Sequence, residues 1–316
     1  MRFPYRRLTL AVVPVVFATT LALGQAAPDP PAIPPTVITA ANAPHSVSLS
    51  EEQIKQLIRE SADKDMENEK KQRDYTYVER EEVHKLDGKG KVKSTEVKTY
   101  DVMVIAGEQV QKLVSKDDKP LSEKDAKKED EKIEKLIEKR SHESESDREK
   151  RIKKHEKDLE EGRKFLAEVA DAYNFRSIGA ESLDGRDNYV IDAEPKPGYE
   201  AHMKEAKILP KFRFRAWIDK DERQWRKVDA QCIDTVSFGL FLFRLHKGAR
   251  IIIEQTRVND EVWLQRHVAV TADFRLALLK NFDLDVDITD RDYKKFRTDT
   301  KILPLEESQQ RQEAPK

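Results

Sequence analysis

The chain has 316 residues, 59 of them Lys or Arg and 60 Asp or Glu, so 38% of it is charged at a formal net charge of −1. That density, with a mean hydropathy of −0.77, excludes a multi-spanning membrane protein, and the balanced sign offers no basic footprint for a nucleic-acid partner. The single cysteine, Cys232, excludes an internal disulfide framework and CxxC chemistry.

Residues 1–24 read as a secretory signal. Arg2, Arg6 and Arg7 precede an uncharged run from Leu8 to Leu23, and Ala22, Gly24, Ala26 and Ala27 offer small-residue cleavage positions. Gln25 stands where a lipoprotein would carry its cysteine, so the expected destination is the periplasm without a lipid anchor. Residues 25–48 hold six of the fourteen prolines and read as an extended tether, and residues 301–316 as a loose tail. The domain proper is expected over 49–300.

Ser50 with Gln53 three residues on is a capping box, and Ile54, Leu57 and Ile58 continue it at helical spacing. From Tyr75 the period changes to two. Tyr75 and Tyr77, a run from Val92 to Ile105 and another from Val110 to Val114, separated by Gly-containing turns, predict three antiparallel strands. Between Ser122 and Lys164, 15 of 43 residues are basic and 15 acidic. This stretch reads as a two-helix insertion over 122–172, mostly a solvated excursion with i,i+4 pairs, the second helix better packed through Phe165, Leu166 and Val169.

Strand patterning returns at Tyr173 and lasts to about Phe296, with turns at Asp184-Gly185, Pro195–Gly198, Asp219–Glu222, Lys247-Gly248 and Asn259-Asp260. The fold class is therefore α+β: a large curled antiparallel sheet, a half-open barrel, with an N-terminal helix and the charged two-helix insertion. Thr235–Phe243 carries no charge and is apolar on both alternating faces, which predicts a strand covered on both sides.

Chemical motifs are sparse. There is no G-x-S-x-G, H-E-x-x-H, Walker loop or G-x-G-x-x-G. His246 and His267 fall on predicted strands without a third ligand, and a structural role is preferred for them. Cys232 reads as a buried small residue. Asp283, Asp285 and Asp287 begin like a calcium loop, but Ile288 replaces its glycine and Lys294 its final glutamate, leaving a half-buried strand with an acidic outer face. Arg213, Arg215, Arg223 and Arg226 interleave with Phe212, Phe214, Trp217 and Trp225. An amphipathic strand pair explains that pattern, with lipid headgroups the better surface partner if it has one. No cofactor or metal is expected.

Four short segments resemble the outer-membrane lipoprotein-sorting, LolA/LolB-like superfamily: Tyr100–Glu108, Leu183–Ile191, Phe214–Asp219 and Glu261–Leu264, the last with Gln265 in place of the family's proline. Together they span roughly Leu49 to Phe296, and the charged insertion departs from the pattern. The resemblance implies a half-open barrel whose concave apolar face, capped by helices, holds acyl chains, and it brings no catalytic residues. Phe238, Leu240, Leu242, Ile251, Ile253, Val262 and Leu264 are the candidate ligand-binding residues, each equally suited to a filled core. The partner this implies is lipid or an acylated protein, with peripheral membrane contact. An envelope scaffold that engages another protein through the charged insertion is the main alternative, and a hydrolase with an unrecognised site the lesser one.

Overall fold

A computed structural model describes residues 48–238, 243–276 and 280–296. The expected signal, nearly all of the tether and the tail lie outside them, as do Leu240 and Leu242.

Three α-helices begin the same way. Ser50, Ser122 and Ser144 accept hydrogen bonds from the backbone N–H groups of Gln53, Asp125 and Asp147, capping α1 (Glu51–Gln72), α2 (Glu123–Ser141) and α3 (Glu145–Ala172). At α1 the box is closed by Gln53 Oε1, which accepts from the Ser50 N–H at 2.8 Å. A 3₁₀ helix covers Glu205–Lys211.

Among the described residues, thirteen strands form one antiparallel sheet. They are β1 (Tyr75–Leu86), β2 (Val92–Ile105), β3 (Glu108–Lys116), β4 (Lys119–Pro120), β5 (Tyr173–Leu183), β6 (Arg186–Pro195), β7 (Phe212–Asp219), β8 (Trp225–Cys232), β9 (Val236–Phe238), β10 (Phe243–Leu245), β11 (Arg250–Val258), β12 (Val262–Leu276) and β13 (Lys280–Lys295). The order is β4-β3-β2-β1-β13-β12-β11-β8-β7-β6-β5, with the β9–β10 hairpin attached to the end of β12. The sheet is open, with β4 and β5 at its edges, so the α+β reading with a large unclosed antiparallel sheet holds. Two-residue hairpin loops at Ala106-Gly107 and Asp184-Gly185 have both residues in the left-handed region, the geometry that matches strand twist.

The sheet is strongly curled. Asp184, in the β5–β6 turn, pairs with Arg226 of β8 and lies 3.1 Å from Arg266 of β12. Five inter-strand steps would separate β5 from β12 by roughly 24 Å in a flat sheet, well beyond an arginine's reach.

One sequence expectation needs correction. The stretch from Thr235 to Phe243 is not one doubly covered strand: Phe238 pairs with Phe243, so β9 and β10 are the arms of a hairpin. The two helices of the insertion differ as their sequences predict. Ile133 is the only buried residue of α2, whereas Glu168, Val169, Ala170 and Ala172 at the end of α3 are buried. The last turns of α3 pack on α1 and belong to the main core.

Candidate ligand-binding face

Cross-strand register assigns every side chain to one of two faces. On the inner face, where the helices lie, Phe214, Ala216 and Ile218 of β7 stand beside Ala230, Val228 and Trp225 of β8. Ala230 and Val228 stand beside Ile251 and Ile253 of β11. The same face continues through Val270 and Val268 of β12, Val286 and Ile288 of β13, and Val83 of β1.

Two apolar clusters divide this face. The first lies under helices: Ile54, Leu57 and Ile58 of α1, Val169 and Ala172 of α3, and Leu209 of the 3₁₀ helix pack on Tyr173, Ile191, Ala216 and Ile218. The second joins Val83, Val268, Val270, Phe274, Leu284, Val286 and Ile288, and its buried members come from strands and the loops beside them. Ile208 of the 3₁₀ helix is the one helical residue packed against it among the described residues. Ile251 and Ile253, packed against its flank on β11, are only half-buried, while Val268 and Val270 opposite them are buried. An apolar floor without an α-helical lid is what a chain-shaped ligand requires.

The seven predicted residues separate. Ile251 and Ile253 lie on this floor. Phe238 ends β9, and Leu240 and Leu242 lie outside the described residues. Val262 and Leu264 lie beyond a one-residue bulge between Gln265 and His267, next to the β11–β12 turn. Both are buried, in a small cluster with Tyr75 and, packed against it, Val258 and Tyr293. One ligand surface therefore takes in Ile251 and Ile253 but not Val262 and Leu264.

Sequence reasoning missed the polar border of this floor. Glu79 and Glu81 of β1 are both buried on the inner face, beside Tyr100 and Lys98 of β2. Asp290 of β13 stands next to Glu79 and accepts a hydrogen bond from Gln265 at 3.1 Å. Burial pushes the Glu81 carboxyl up to about 7, and Glu79 and Glu96 push the same way against Lys98. Burial likewise pushes the Tyr100 phenol up. The alternation Tyr75, Tyr77, Glu79, Glu81, Val83 was the available signal, since the glutamates occupy inward positions of an otherwise apolar series.

A separate cleft of about 330 Å³ lies between α1 and the β7–β8 and β11–β12 turns, lined mainly by charged side chains such as Lys64, Glu67 and Arg223, with Trp263. Its wall is structural: Asn68 donates to the Trp263 carbonyl at 2.7 Å and accepts from the Trp263 N–H at 2.7 Å.

The other singled-out residues are structural. His246 and His267 each pair with an aspartate, Asp273 and Asp287 respectively. Cys232 is buried, its thiol directed at the Asp234 carbonyl and pushed up by burial. Arg213 and Arg215 bond Gln231 and Asp192 along the strands. No cluster able to hold a metal occurs among the described residues, and none of their helices is long and apolar enough to cross a membrane.

No protein-family model matches the sequence, and no curated protein matches it. Among solved structures the chain is similar to a domain described as an outer membrane lipoprotein-sorting protein from Vibrio parahaemolyticus, at 13% identity and TM-score 0.31 over 76% of this chain and 95% of that one. It is also similar to a DUF1329 family protein from Desulfovibrio piger, at 13% identity and TM-score 0.29 over 78% and 95%. A LolA superfamily protein from Nitrosomonas europaea gives 8% identity and TM-score 0.23 over 79% and 94%.

Proposed function

We propose that the protein is a non-enzymatic binding or carrier protein of the periplasm for lipid or a lipid-modified protein, with the inner face of β11–β13 as its ligand site. One observation carries this reading: the apolar strip continues past the helix-covered core, and Ile251 and Ile253 on β11 are left half-buried. An apolar surface on a secreted domain stabilises binding by roughly 25 cal/mol per Å² removed from water, so a single acyl chain laid along the strip gains several kcal/mol. Residues 1–24 would direct export and be cleaved, and 25–48 would tether the domain. Native mass spectrometry after gentle purification tests the reading: co-purified lipid is the expected result. Repeated absence of lipid, together with failure of added acyl chains to bind, overturns it.

A second reading rests on a different observation. From 122 to 164, 28 of the 43 residues are exposed, and Ile133 is the one buried apolar residue. This hairpin fits a protein-binding arm of an envelope scaffold. Deleting 122–164 and rejoining the chain ahead of Phe165 is expected to leave the sheet folded, because the buried end of α3 is retained. Partner capture that survives the deletion refutes the arm.

A further inference from the structure

The inner face changes character within one register row. Ile253, Val268 and Ile288 are followed directly by Glu81 and Lys98. In the next row Ile251, Val270, Val286 and Val83 are followed by Glu96. The apolar floor therefore ends against a charged wall, and the first side chain of that wall is Glu81.

Glu81 is 7% exposed, and its carboxylate takes part in no hydrogen bond or ion pair among the described residues. The cation nearest in register, Lys98, directs its ammonium to Glu96 at 3.1 Å. Lys116 of β3 also lies 3.6 Å from Glu96. Glu79 accepts from Gln111 at 2.5 Å, Asp290 from Gln265, and Glu129 of α2 from the Leu113 N–H and from Lys132. Tyr100 brings no charge. Around Glu81 the elements therefore supply four carboxylates, on β1, β2, β13 and α2, against two lysines already engaged. A second buried acceptor lies on the same face: Gln255, 5% exposed, has no donor for its Oε1.

A buried carboxylate without a partner is among the most costly groups a fold can hold, and it is tolerated where something completes it. Its position at the end of an apolar strip defines what would do so. We propose that the ligand is an amphiphile with a cationic ammonium head, its chain on the β11–β13 floor and its N–H donors on Glu81. This rests on the carrier reading and adds the chemistry of the head group. A charge-assisted hydrogen bond is the strong kind, so head-group charge becomes the selectivity of a face whose floor accepts any chain.

The probes are dodecylamine hydrochloride and sodium dodecanoate, equal in chain length and opposite in charge, titrated calorimetrically into the full chain below their micellar concentrations. At pH 8 the alkylammonium is expected to bind at least tenfold more tightly. At pH 5.5 the preference is expected to collapse, because Glu81, held near 7 by burial, is then protonated while the alkylammonium keeps its charge. Glu81→Gln is expected to remove the preference at pH 8, by weakening dodecylamine binding. Glu145→Gln, on exposed α3, should keep it. Equal binding of the two chains, a preference that persists in Glu81→Gln, or one lost equally in Glu145→Gln overturns the head-group assignment and leaves the carrier reading standing. Binding of neither chain at either pH overturns the carrier reading itself.

Discussion

Strands β5–β8 and strands β11–β13 alternate apolar and polar residues in the same way, but they are covered differently. Over β5–β8, α1, the end of α3 and the 3₁₀ helix close the inner face, and Ile191, Ala216 and Ile218 are at most 1% exposed. Over β11–β13 no comparable layer of α-helix joins the buried cluster among the described residues, and two isoleucines of a central strand remain half-buried. The difference teaches that alternation reports which face of a strand is dry and says nothing about what keeps it dry. A filled core and a ligand floor write the same pattern.

Truncation separates the two most sharply. Ile218→Ala is expected to cost about 3 kcal/mol, since the site under the helices cannot collapse, whereas Ile253→Ala should cost about 1 kcal/mol and weaken acyl-chain binding instead. Urea unfolding of both variants measures the contrast. Equal losses would mean that β11–β13 is a filled core like its neighbour.

The junction of the two regions gives the next effect. Asn68 holds both main-chain groups of Trp263 with a separation of 195 residues. Asn68→Ala leaves the Trp263 N–H to find another partner, while Gln72 still donates to the carbonyl at 2.9 Å, for an expected loss of about 2 kcal/mol in the same assay. A loss below 0.5 kcal/mol would show that water replaces the amide there and that α1 is held by its apolar side alone.

The polar border gives an effect of opposite sign. Glu81 in the fold holds its proton up to about 7, against 4.5 for an unperturbed glutamate. Asp65, beneath Gln224, is likewise pushed up to about 7 by burial, with Glu69 adding to the shift. The folded protein binds these protons more tightly than the unfolded chain, so their contribution is fully present below about pH 4 and is lost as pH rises towards 7. Glu81→Gln removes its share of that loss. The variant is expected to be more stable than the parent at pH 8, by on the order of 2 kcal/mol, and equal to it at pH 4. Thermal melts at the two pH values decide. A variant less stable at pH 8 would mean that Glu81 is paired as a charge.

Smaller effects belong to the helices. Ser50→Ala should cost about 1 kcal/mol, because α1 loses its capping box over a packed core. Lys150→Ala, on the solvated part of α3, breaks an exposed pair with Asp147 and should leave the unfolding midpoint unchanged. A measurable shift there would give the charged hairpin a part in domain stability.

The capping box, the switch to period two at Tyr75, the two charged helices and the run of strands after Tyr173 were all legible in the sequence, because each is a local pattern with a local cause. The candidate face was legible only in part. Ile251 and Ile253 follow from plain alternation along β11. Val262 and Leu264 were placed with them by the same rule, but they lie past the bulge between Gln265 and His267, which no glycine marks, and pack in a separate cluster with Tyr75. Glu79 and Glu81 sit at inward positions that alternation marks, but a glutamate is ordinarily read as solvent-facing. Nothing local says that these two are buried. That the end of α3 packs was legible in Phe165, Leu166 and Val169, but nothing local names α1 as the surface it meets.

The first described strand and the last one are neighbours in the middle of the sheet: Tyr75 stands opposite Lys295, and the ladder runs on to Leu86 and Asp283. A chain delivered from its N-terminus can thus make the β1–β3 meander early and the β5–β8 meander soon after, yet cannot join them until residue 295 has emerged. Such long-range closure slows folding and leaves two sticky half-sheets waiting in the meantime. A stop shortly after Leu276 would remove the hinge between them, where the same cut in a sheet ordered by sequence would trim only its rim. The protein is made to wait for its own end.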